Sequence, residues 1–99
     1  MVLRRRWSRR RAKQALESAR VLDEVVAAQL RLVPGLDDAA RRRAADHLAE
    51  LVLLAQANRY FAAGWISRRE LDERGARAMR TLAELRQNQS RLAQLTERD

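Results

Sequence analysis

The first thirteen residues, MVLRRRWSRRRAK, hold seven cations (Arg4, Arg5, Arg6, Arg9, Arg10, Arg11 and Lys13) and no acid. A guanidinium presents a planar fork of donors that matches two phosphate oxygens, so a dense run of arginines is an anion-binding footprint. Trp7, set among them, can stack on an unpaired base or lie at a lipid interface. The charge is localised. Residues 1–13 carry +7 of the net +8, and the other 86 residues hold 14 basic and 13 acidic side chains. The tail therefore concentrates attraction for phosphates, with a solubilising segment as the plain alternative. Smaller clusters at Arg41, Arg42, Arg43 and at Arg68, Arg69 form a secondary basic patch, partly offset at the first by Asp37, Asp38 and Asp46.

Catalytic chemistry finds little to work with. His47 is the single histidine, flanked by Asp46 and Glu50. Zinc needs three or four ligands, and neither a second His nor any Cys is present. A Glu-x-x-His iron motif fails because Ala44 stands three residues before His47. Glu50, one turn on, accounts for His47 as one side of a solvated polar pair. No Gly-rich phosphate loop, nucleophile elbow or triad order occurs. The expectation is no enzyme, no catalytic residue, no metal and no cofactor.

One short stretch, AGWISRREL at 63–71, permits three motifs. With Gly64 at the sixth position of a calcium loop, Ile66, Ser67 and Glu70 fall at the eighth, ninth and twelfth. The ligand positions would then be Arg59, Phe61 and Ala63, a cation, a ring and a methyl group, so calcium is excluded. The stretch also resembles the turn and recognition-helix start of bacterial helix-turn-helix domains. That likeness implies Arg68, Arg69 and Arg74 facing a major groove, although Trp65 is an extra residue in the turn. Over about 51–80 the chain resembles the bacterial short C-terminal (SHOCT) domain, a helical hairpin. Gly64, Ile66, Ser67, Glu70, Leu71, Arg74 and Met79 take the corresponding roles. That likeness implies self-association or attachment to other modules.

The elements that position these groups follow from composition and period. Ala, Leu, Arg, Glu and Gln dominate, with one Pro and three Gly in 99 residues, so helix is favoured throughout. The reading is an all-α, three-helix domain over 12–99, with helices at about 12–33, 38–62 and 67–97, preceded by a basic tail at 1–11 expected to be disordered or weakly helical. In the first helix Ala12, Ala15/Leu16, Ala19, Leu22, Val26, Leu30 and Val33 form one stripe, and Val21, Val25, Ala28 and Leu32 widen it, so more than one neighbour is expected. Val33-Pro34-Gly35 ends it. Asp37 or Asp38 caps the second helix, where Ala44, Leu48, Leu51, Ala55 and Ala62 mark one face and LVLL at 51–54 suggests the most buried helix. Tyr60, Phe61, Trp65 and Ile66 are expected in the core. Ser67 and Glu70 make a capping box for the third helix.

The third helix carries a heptad-like seam, about 45 Å long if fully helical. Leu82, Leu85, Gln89, Leu92 and Leu95 are its candidate oligomer interface. The longest uncharged apolar run has eight residues, far short of the ~20 of a membrane span. A cytoplasmic chain is expected. The partners implied are nucleic-acid phosphates for the tail and a second copy or helical protein for the body, with an acidic protein or anionic membrane surface as the alternative for the tail.

Overall fold

A computed structural model describes the backbone of residues 2–97 and the side chains of residues 9–95. The chain is all-α: α1 runs Val2–Leu30, a short 3-10 turn covers Val33–Gly35, α2 runs Asp38–Ala62 and α3 runs Arg68–Glu97. No strand occurs among the described residues. The second and third helices match the sequence reading within one residue. The first does not. It begins at Val2, so of the two states read for the tail, disordered or weakly helical, the segment takes the helical one. Apolar period marks only where a helix packs, and arginine sustains helix almost as well as alanine without packing. At the other end α1 stops at Leu30, three residues before the reading placed it, because Pro34 disfavours α geometry ahead of it.

The helices form two successive hairpins with α2 in the middle. It packs on α1 along one side and on α3 along the other, while α1 and α3 make no close approach among the described residues. Three helices side by side give a flat layer of 64 × 25 × 15 Å. The consequence is a thin core. The buried apolar side chains are Ala15 and Ala19 of α1, Leu48, Leu51, Ala55 and Ala57 of α2, and Ala78 of α3. Alanines let helix axes approach closely but remove little apolar area from water.

Several expected core residues face solvent. Leu16 and Leu30 of α1 are exposed, and LVLL is not buried all round: Leu51 is inside, whereas Val52 and Leu53 are half out. A helix covered on two sides only must leave the residues between those sides in water.

Capping follows local chemistry. Asp37 is the cap of α2, its carboxylate accepting from the Ala40 N–H at 2.8 Å. The α2–α3 corner is a Schellman turn. Gly64 sits at φ +81°, the Trp65 N–H donates to the Tyr60 carbonyl at 2.9 Å, and the Gly64 N–H donates to the Phe61 carbonyl at 3.0 Å. The apolar contact that accompanies such a turn is Trp65 on Tyr60, ring centroids 5.2 Å apart. Trp65 is nonetheless 73% exposed, which corrects its expected place in the core. The turn directs it outward across the end of α2, while Ile66 is half-buried.

Candidate functional site

The cationic end of α1 is placed by one ion pair. Arg59 near the end of α2 pairs with Asp23 of α1. Arg9 lies fourteen residues before Asp23, about 21 Å along the helix, whereas α2 stops at Ala62, about 4.5 Å beyond Arg59. Because α1 and α2 run antiparallel, the first turns of α1 project roughly 15 Å past the end of α2. The 64 Å length of the molecule fits this stagger, since each long helix spans only about 45 Å. Arg9, Arg10, Arg11 and Lys13 are all exposed, and buried packing begins at Ala15. The side chains of Arg4, Arg5, Arg6 and Trp7 lie outside the described residues. On a helix rising 1.5 Å per residue, Arg9–Lys13 bring four cations within about 6 Å of axis. That density suits a polyanion whose charges repeat at similar spacing.

The secondary basic patch is not one patch. Arg41, Arg42 and Arg43 open α2, and Arg68 and Arg69 open α3, so the length of α2, about 30 Å, separates them. Their surroundings also differ from those of the α1 end. Arg68 pairs with Asp72 at 3.2 Å, Arg69 with Glu73 at 3.4 Å, and Arg74 with Glu70 at 3.0 Å, each one turn along the helix. Arg74 also lies over the Tyr60 ring, 5.9 Å from its centroid. The expected capping box is therefore half made. The Ser67 hydroxyl accepts from the Glu70 N–H at 3.1 Å, but the Glu70 carboxylate turns to Arg74. A charged donor outcompetes a backbone amide for that carboxylate. Asp72 and Glu73 were visible in the sequence, and their i,i+4 spacing from the arginines was the signal for this pairing. α3 runs back alongside α2 and packs on it.

The heptad seam of α3 divides. Leu82 and Leu85 are half-buried, and Leu85 lines a cleft with Arg43, Asp46 and His47 of α2, so this part of the seam is used within the chain. Gln89 and Leu92 continue the same cleft but are exposed, and Leu95 is exposed beyond them. His47 is half-buried in that cleft, whereas Glu50 lines a second groove with Glu70, Glu73, Arg74 and Arg77. Among the described residues no three His, Asp or Glu side chains converge on a point where a metal ion would sit. No described helix is long and apolar enough to cross a membrane.

On α1, Arg20 bridges Glu17 and Glu24, with Glu17 at 2.5 Å. Its hydrogen bond to Glu17 holds that carboxyl below its ordinary range. No protein-family model matches the chain, and neither a curated protein nor a solved structure is similar to it.

Proposed function

We propose that this chain is a small non-catalytic interaction protein of the cytoplasm. In this reading it grips nucleic-acid phosphates with the basic end of α1 and self-associates through its helices. The observation that supports it is the acid-free run Arg9–Lys13, carried on helix past the end of α2, where phosphates can approach from several sides. Recognition is of charge and spacing, with little reading of sequence, because guanidinium–phosphate contacts carry no base information. Retention on heparin, duplex DNA and anionic liposomes, compared for the intact chain and one lacking residues 1–11, tests this. The expected result is binding to DNA that falls steeply with salt and disappears with the deletion. Binding indifferent to salt, or unchanged by the deletion, overturns it.

A second reading is favoured by a different observation. A compact monomer of this mass exposes about 5,800 Å², and this chain exposes 8190 Å². Its radius of gyration is 17.1 Å against about 13 Å for a compact domain of this length. Such a shape suits an adaptor whose apolar surfaces meet another protein while the basic end docks on an acidic surface. In either reading the 51–80 hairpin serves attachment, as its SHOCT resemblance implies, and its paired arginines are not assigned a groove-reading role.

A further inference from the structure

Part of the exposed apolar surface forms a row on α1. The residues that meet α2, Ala15, Ala19, Leu22 and Val26, are buried or half-buried. A second stripe, Val21, Val25 and Ala28, continued by Leu32 in the turn just past the end of α1, lies about 120° around the helix from it, since a shift of six residues at 100° each turns the face by that amount. All four are exposed, Leu32 at 70%. Their 4-3-4 spacing is that of a coiled-coil seam, which is complementary to another helix of the same spacing. α2 already occupies the first stripe and α3 does not approach α1, so no described helix of this chain covers the second.

We infer that a second copy of the chain covers it, the two α1 helices packing antiparallel about a two-fold axis near Val26. This rests on the self-association part of the proposed function and names its surface, which is α1 and not the α3 seam. Three observations select this occupant. Summed over the whole chain, the surface in excess of a compact monomer is about 2,400 Å², which leaves room for the ~800 Å² per partner of a standard interface. The stripe is self-complementary: in this register Val21 meets Leu32 and Val25 meets Ala28 of the other copy, twice over, as a two-fold interface requires. The flanking charges match too. Glu24 and Arg31 stand one heptad apart on the same edge of the stripe, so each Glu24, already paired with Arg20 of its own chain, also faces the other copy's Arg31. Arg31 is exposed and has no ion pair among the described residues. The dimer would also carry its two basic ends in opposite directions, each about 25 Å from the axis, so that one polyanion could be held at two places.

Sedimentation equilibrium on the full chain tests this. The expected mass is twice the 11.4 kDa of the chain, and V25E, a charge beside the axis, should reduce it to the monomer with helicity retained. Should V25E unfold, the edge variants remain: R31E weakens the dimer at least tenfold, and E24R with R31E restores it, because the swapped charges again face each other. Cysteines at V25C and A28C together, in a chain with none of its own, should cross-link the two copies under oxidation, because each residue 25 faces the other copy's residue 28, and one at L95C should not. A wild-type monomer overturns both this inference and the self-association reading. A dimer unmoved by V25E and R31E, or one that cross-links through L95C, overturns the α1 interface and leaves self-association standing.

Discussion

At the start of α1, Arg9, Arg10, Arg11 and Lys13 precede the first acid of the chain, Glu17. At the start of α3, Arg68, Arg69 and Arg74 each meet a carboxylate one turn away. Both segments are arginine-rich turns of exposed helix lying toward the same end of the molecule, yet one has no acid within a turn of its first arginines in the sequence and the other is compensated by its own helix. A count of arginines does not measure an anion-binding footprint. What matters is whether an acid stands three or four residues away, where helix geometry makes it a neighbour.

The largest way to break this comparison is to remove charge at α1. Arg9→Ala, Arg10→Ala and Arg11→Ala together should lower the slope of log affinity against log salt for duplex DNA by about 3, measured by fluorescence anisotropy across a salt series. Asp72→Asn with Glu73→Gln should sharpen it from the other side. Uncompensated Arg68 and Arg69 would then behave like the α1 end, and the salt slope should rise by roughly 2.

Gly64→Ala tests whether the corner holds α3's first turn in place. An alanine at φ +81° costs about 1 kcal/mol, read as a lower urea midpoint with an unchanged denaturant slope. Smaller still, Arg68→Ala with Arg69→Ala should change DNA affinity less than about twofold and stability by less than about 0.5 kcal/mol, since exposed i,i+4 pairs are worth little. A large loss of binding there would abolish the distinction between the two clusters.

The smallest effect is titration of Glu17. Arg20 depresses its folded-state pKa, so the pair's stabilisation is present above the unfolded value, about 4.3, and is lost as pH falls through the lower folded value. Helicity of α1 by circular dichroism should dip slightly on acidification in that window, and Glu17→Gln should abolish that part of the dip.

Much of the fold was legible because the signals are local. Pro34, the Asp37 cap, Gly64 and the Ser67 cap bound α2 and the start of α3 to within a residue, through backbone chemistry that needs no distant partner. The beginning of α1 was missed because arginines extend a helix silently, without an apolar period to announce it. Trp65 was placed inside on hydrophobicity alone, and the Schellman turn directs it outward. The candidate site was half legible. The cationic run was plain in the sequence, but its stagger past α2 depends on the register of two helices, which the Arg59–Asp23 pair reports.

The sequence by itself determined that the chain is three helices with one concentrated positive end, because propensity, capping and charge act over a few residues. Only the tertiary structure decided that the helices lie in one layer, not a closed bundle. With alanine dominating the contacts, α2 accepts a neighbour on each side, and α1 and α3 do not meet among the described residues. That arrangement leaves Val21, Val25, Ala28 and Leu32 uncovered. Apolar patterning states that a face should be buried; which helix buries it depends on how the hairpins open.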